Sequence, residues 1–329
     1  MRARLLSGQK RFTFGCMGMQ EESSDSVAAR VGDGVALALQ GGGAHGAYAW
    51  GVLDRLLEQG LRIDRISGVS SGALIGVMLA QGMAHGGADG ARAEMRRLWQ
   101  RVGEVHRFSP FRASPLERWL WGWDVGSSLA WHGWETALRL FTPALLNPFG
   151  HNPLRGVIAD LLDVDALADP RAPRLTIAAT DVETGRAELF GNREITVDTL
   201  LASTCLPFVF PAVRIGGRAY WDGGYAGNPP LAPLIDAPLP RELVLIRAQP
   251  ARRAGVPTTP TEIINRLNEI ACHNVLEAEL AALPASIRVR SFAADAALTE
   301  LPIASRFTAE HAFLGELFAA GRAAAAGGG

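Results

Sequence analysis

Short apolar runs alternate with longer amphipathic stretches along most of this chain. Val35-Ala36-Leu37-Ala38-Leu39 has no polar position, which predicts a strand buried on both faces. Ala44 to Gln59 reads as a helix stopped at Gly60, and Arg65 to Val69 as a second short strand. Ser71 to Gln81 is a nearly all-apolar, hence buried, helix, and Ala91 to Val102 is amphipathic and rich in arginine. After residue 150 the alternation resumes. Asn152-Pro153 opens a helix over Leu154–Leu162, Arg174–Thr180 and Arg186–Phe190 are strands, and Thr196–Thr204 is helical. Val213–Ile215 and Arg218–Trp221 flank Gly216-Gly217 as a hairpin, and Leu243–Arg247 is a further strand. The capping box Thr259-Pro260-Thr261-Glu262 starts a long helix, followed by a strand over Ile287–Phe292 and a helix over Thr308–Ala320. Strands alternating with helices predict one α/β domain over 34–321, with a central, mostly parallel sheet. Residues 1–33 and the low-complexity tail 322–329 are expected to lie outside it. Residues 103–150, with prolines, glycines and five tryptophans, are expected to form an insertion or cap.

Composition changes this picture little. Apolar residues make up 48% of the chain and the net charge is −1, so a large core is available and bulk charge points to no nucleic-acid partner. Cys16, Cys205 and Cys272 are too widely spaced to suggest a disulfide framework or a metal site, and a reducing, cytoplasmic location is expected. Val35 to Leu53 runs nineteen residues without a charge, almost the length of a membrane span. Its five glycines argue instead for a buried strand, turn and helix. Residues 107–134 interleave Arg107, Arg112 and Arg118 with Phe108, Phe111, Trp119, Trp121, Trp123, Trp131 and Trp134. That mixture suits either peripheral contact with an anionic membrane or an ordinary packed cap.

Chemistry concentrates at two glycine-rich turns and one distant acid. Gly68-Val69-Ser70-Ser71-Gly72 places Ser70 at the centre of a G-x-S-x-G elbow between a strand and a helix, where small neighbours let a sharp turn expose the hydroxyl. Gly41-Gly42-Gly43-Ala44-His45-Gly46 offers consecutive backbone N–H groups at a helix start, which suits a negative oxygen. The same stretch fits a dinucleotide fingerprint, but the acid that reading needs, Asp64, precedes the second strand instead of following it. A Ser-His-Asp triad would draw on His273 or His311; Gly43 and Ser70 are only 27 residues apart, too close for that fold's spacing, and His273 falls within a predicted helix. The better base is Asp222, in Tyr220-Trp221-Asp222-Gly223-Gly224, at a strand end with glycines that let backbone pack close. Asp181, before Thr184-Gly185, reads as a turn residue.

Taken together, the glycine loop, the elbow and the Asp-Gly-Gly motif resemble the patatin-like phospholipase family. The resemblance extends over residues 34 to 250 and includes the stretches 179–185 and 202–208. It implies a three-layer α/β/α fold and a lipid acyl hydrolase acting on phospholipids or other fatty-acyl esters. Ser70 would be its nucleophile and Asp222 its base, with backbone amides of Gly41, Gly42, Gly43 and Ala44 as the oxyanion hole. Gly46, Gly68, Gly72, Gly223 and Gly224 would support the motifs. No cofactor or metal is implied. His45 departs from the family, which carries arginine or lysine after the glycines. Two alternatives stay open: a thioesterase or acyltransferase with the same pair, and a non-catalytic membrane-binding protein of the same fold.

Overall fold

The computed structural model describes residues 34–107, 128–253, 255–299 and 303–327, with isolated positions 109, 117, 119, 122, 123, 126 and 301. The expectations for residues 1–33 and for most of 108–127, Trp121, Arg112, Arg118, Phe108 and Phe111 included, lie outside the described residues.

The sheet follows from the apolar runs. Its strands are β1 (Val35–Leu39), β2 (Ile63–Val69), β3 (Arg174–Asp181), β4 (Ala187–Gly191), β5 (Val213–Ile215), β6 (Arg218–Asp222), β7 (Glu242–Arg247) and β8 (Arg288–Ala293). Their order is β5-β6-β3-β2-β1-β7-β8, with β4 also paired to β3. The run β3-β2-β1-β7-β8 is parallel, whereas β4, β5 and β6 are antiparallel to their neighbours. All five residues of β1 are buried, as a central parallel strand requires.

The helices are α1 (Gly46–Glu58), α2 (Ser71–His106), α3 (Leu129–Leu140), α4 (Pro143–Leu146), α5 (Leu154–Leu161), α6 (Val164–Ala168), α7 (Val197–Ser203), α8 (Pro260–Ala281), α9 (Asp295–Leu298) and α10 (His311–Ala326). Side chains alternate between the sheet faces with period two. Leu37 and Leu39 join the core beneath α1, α2 and α10, while Ala36 and Ala38 face Leu276 of α8 together with Leu231 and Leu234. Helices therefore cover both faces, giving three layers. The two helices expected at 71–81 and 91–102 are both present within the span numbered α2, separated by a break at Gly86 and Gly87, neither of which is helical and the latter of which lies at φ +61°.

Two expectations change. The tail from 322 was expected to lie outside the fold, but α10 runs to Ala326. Alanine is the strongest helix former, and Arg322 anchors this end by pairing with buried Asp54 and with Glu58. In the insertion, the tryptophans divide. Trp131 is buried against Phe307, Trp123 stacks on Phe313 and donates to Glu316, and Trp119 is 80% exposed. Among the described residues no helix is long and apolar enough to cross a membrane; Val35–Leu53 is β1, a turn and the start of α1.

Candidate active site

Ser70 sits between the last residue of β2 and the first of α2, at φ +55° and ψ −125°. Among the described residues it is the one non-glycine with positive φ. Such a conformation costs about 1–3 kcal/mol and persists only where the surroundings impose it. Here they do. A Cβ on Gly72 would lie 2.3 Å from the Leu39 carbonyl oxygen, so α2 can begin this close to β1 only with glycine there. Gly68 packs as closely on the backbone of Gly72. The Ser70 N–H donates to Ser203 Oγ at 3.0 Å, which ties the elbow to the end of α7. The positive end of α2 lies behind the serine.

Sheet register brings Asp222 to this point. Val69 pairs with Ala178, and Ala179 pairs with Asp222, so the serine and the acid stand level, two strands apart. That is about 10 Å between backbones, bridged by side chains reaching over β3. The chain passes low over β3 after the acid: a Cβ on Gly223 would lie 2.1 Å from the Ala178 oxygen. Asp222 is held by its own N–H donating to the Cys205 carbonyl at 2.7 Å and by Thr180 Oγ1 donating to its carbonyl at 2.8 Å. Its carboxylate accepts from Gly224 N–H at 2.9 Å. Burial raises its pKa from 3.8 to about 6, against the opposing effects of the Gly224 amide, the nearby Ser70 hydroxyl and the positive charge of Arg306.

The glycine loop lies over the serine, with Gly41 close enough that a Cβ would sit 2.7 Å from Ser70 Cβ. Here the expected oxyanion set is narrowed. Gly41 N–H already donates to Asn228 Oδ1 at 2.7 Å, and Gly42 N–H to Ser71 Oγ at 3.0 Å. Both amides are engaged in holding the loop's shape. Gly43, at φ +61° and exposed, and Ala44 open the 3-10 turn Gly43–His45, and among the described residues neither N–H has an internal acceptor. First-turn amides lack helical partners for geometric reasons, which leaves these two for an incoming oxygen. Gly46 follows as the first residue of α1, packed on the Ser71 side chain.

Other candidates have structural work. His45 is fully buried; Nε2 bonds Ser305 Oγ at 2.8 Å, and burial, then Arg306 and Arg253, hold its pKa well below the usual value, so it is neutral. His273 faces Glu277, and the His311 ring lies against Gly103. Asp181 accepts from Glu183 N–H, Thr184 N–H and the Thr184 hydroxyl, as a turn residue does. Asp64 accepts from Gly34 N–H. Burial pushes the thiols of Cys205 and Cys272 up to about 12 and about 11, so neither is a thiolate nucleophile at neutral pH. No group of acids, cysteines or histidines suited to a metal occurs among the described residues. Asn228, Ser71, Ser203 and Arg306 were not foreseen. Each acts through a contact between distant segments; only Ser71, inside the elbow motif, carried a local signal.

A serine on a strand-to-helix elbow of a parallel sheet, level with a buried carboxylate and roofed by a glycine loop with two unengaged amides, defines a serine–carboxylate site on an α/β fold. The sequence model for "Patatin-like phospholipase" matches residues 37–235, and the chain belongs to that family. Uncharacterised NTE family proteins of Mycobacterium bovis and Mycobacterium tuberculosis are 27% identical over 239 residues, covering 71% of this chain and 55% of theirs. The chain thus spans about half the length of these relatives. Among solved structures, VipD from Legionella pneumophila overlaps with TM-score 0.37 at 14% identity, covering 87% of this chain and 67% of that one. The ExoU–SpcU complex of the type III secretion system of Pseudomonas aeruginosa gives TM-score 0.32 at 24% identity, covering 76% and 52%. These overlaps are too loose to add to the reading of the site.

Proposed function

We propose that this chain is a lipid acyl hydrolase of the phospholipase A or lysophospholipase type, working through Ser70 and Asp222. The observation that carries this reading is the juxtaposition itself: a strained, elbow-held serine standing level, across β3, with a carboxylate buried to a pKa of about 6. At neutral pH that carboxylate is ionised yet far more basic than an exposed aspartate, which places it near the best range for a general base. It takes the hydroxyl proton as Ser70 Oγ attacks the ester carbonyl. The Gly43 and Ala44 amides receive the oxyanion, and the protonated Asp222 then gives its proton to the departing alcohol. Water repeats the cycle on the acyl-enzyme and releases the fatty acid. No step calls for a metal. Contact with a membrane surface would bring the substrate.

The test is fatty-acid release from phospholipid and lysophospholipid, with fluorophosphonate labelling, for the wild type and for Ser70→Ala and Asp222→Asn, folding being checked by circular dichroism. Wild type is expected to label and turn over, and both variants to lose turnover by about a thousandfold or more. A folded Ser70→Ala protein that still releases fatty acid would overturn the assignment.

A further inference from the structure

Glu269, on α8, is buried and receives three arginines. Arg253 contacts both carboxylate oxygens, at 3.0 Å and 2.9 Å, Arg266 donates at 3.1 Å, and Arg306 Nη2 bonds Oε1. One negative charge is set against three positive ones, on side chains only 13%, 25% and 17% exposed. Unpaired buried charge is costly, and a fold retains it where something compensates it. Asp222, whose pKa Arg306 lowers, offsets only part of it from a distance, and Asp295 accepts from Ala251 N–H. The Nε of Arg306 is buried and has no acceptor.

This excess charge adjoins the reacting groups. Three residues beyond Glu269 on the same helix face, about 4.5 Å along the axis, the Cys272 thiol reaches the carbonyl of Gly224, two residues after Asp222, at 2.9 Å. From the other side, the Arg306 backbone abuts the glycine loop: a Cβ on Gly43 would lie 2.6 Å from the Arg306 oxygen. The charge of Arg306 is felt at Asp222, at Tyr225 and at His45. Planar guanidinium forks suit phosphate oxygens, and a glycerophospholipid carries its acyl esters one or two carbons from the carbon that bears its phosphate. We propose that Arg306, backed by Arg253 and Arg266, forms a phosphate subsite beside Ser70 and Asp222. The chain then favours acyl esters with a phosphate on the same glycerol over neutral acylglycerols. The substrate preference rests on the reading of Ser70 and Asp222 above; the anion site does not.

The experiment compares kcat/KM for lysophosphatidic acid and for the monoacylglycerol of the same short chain, both kept below aggregation, in wild type, Arg306→Gln, Arg306→Lys and Ser70→Ala. Wild type is expected to prefer the phosphate ester by about tenfold or more, Gln to erase most of that ratio, and Lys to restore part of it. An unchanged ratio in Arg306→Gln, or equal losses on both substrates, overturns the subsite. Should Gln fail to fold, the more exposed Arg266→Gln and inhibition of wild type carry the test. Glycerol 3-phosphate is expected to compete where glycerol does not; inorganic phosphate competing equally well would make this a site for free phosphate and overturn the substrate assignment. If Ser70→Ala remains active, the catalytic reading fails while the ratio still judges the subsite; a flat ratio in an enzyme silenced by Ser70→Ala sinks the subsite alone.

Discussion

Replacing Asp222 by asparagine should remove activity and, at neutral pH, stabilise the fold. The carboxyl ionises near 3.8 when exposed and near 6 in the folded protein, chiefly because burial penalises its charge. Between those values the folded chain keeps a proton that the unfolded chain has released. Stability from this group is therefore complete below pH 3.8, falls as pH rises through about 6, and is constant above. The gap corresponds to about 3 kcal/mol at neutral pH. Asparagine has nearly the same shape, can accept from Gly224 N–H as the carboxylate does, and is neutral at every pH. Asp222→Asn should match wild type near pH 4 and exceed it by up to about 3 kcal/mol at pH 8, a rise of about 5 °C in Tm for a chain of this size. Thermal melts of both proteins at pH 4.5, 6, 7 and 8 measure the difference directly, because other titrating groups cancel. A difference that is constant with pH, or an asparagine variant less stable than wild type at pH 8, refutes the argument.

Other outcomes follow from the same contacts. The kcat/KM of ester hydrolysis should rise with pH as a single ionisation near 6, the pKa given for Asp222, and level off above 7; a flat profile between pH 4 and 8 contradicts a carboxylate base. Gly72→Ala forces a methyl onto the Leu39 carbonyl, 2.3 Å away, and should cost about 3 kcal/mol or more along with fluorophosphonate labelling, both read from one preparation. Ser71→Ala leaves Gly42 N–H without its acceptor and should cost about 1–2 kcal/mol in a urea melt. Ending the chain at Gly321 removes Arg322 from Asp54 and should cost about 2 kcal/mol, whereas a disposable tail would cost nothing.

What could be read from the sequence was whatever local pattern encodes. The all-apolar β1, the glycine stop at residue 60, the capping box at Thr259 and the Gly216-Gly217 hairpin each carry their structure within a few residues, and each forms where expected. The three motifs were legible for the same reason: an elbow, an amide-lined loop and a strand-end acid each need specific small residues at fixed spacing. Pairing between remote segments was not legible. Nothing near Gly41 announces that Asn228 takes its amide 187 residues away, so the loop looked richer in available donors than it is. Nothing in Ala323 to Ala326 distinguishes a dangling alanine tract from a helix anchored through Arg322. That distinction is made by Asp54, 268 residues earlier.

The geometry also shows why residues 37–235 alone would not build this site. A base must be ionised to accept a proton, and burial opposes ionisation. The opposing contributions at Asp222 come from Gly224, from Ser70 and from Arg306, the last lying well beyond the matched residues. The glycine loop depends on the same distal chain. Gln249 Nε2 donates to the Gly41 carbonyl at 2.9 Å, the Ala248 oxygen backs Gly42, and the Arg306 oxygen backs Gly43. The motifs therefore set where Ser70 and Asp222 stand, while Ala248, Gln249 and residues 303–307 fix the loop's path and Arg306 adds a cation. His45, buried and neutral at the position where a charged residue is usual in the family, fits this division. The positive charge near the loop comes instead from a segment that packs onto it in space, so neutralising Arg306 should disturb the site's electrostatics more than any change of charge at residue 45.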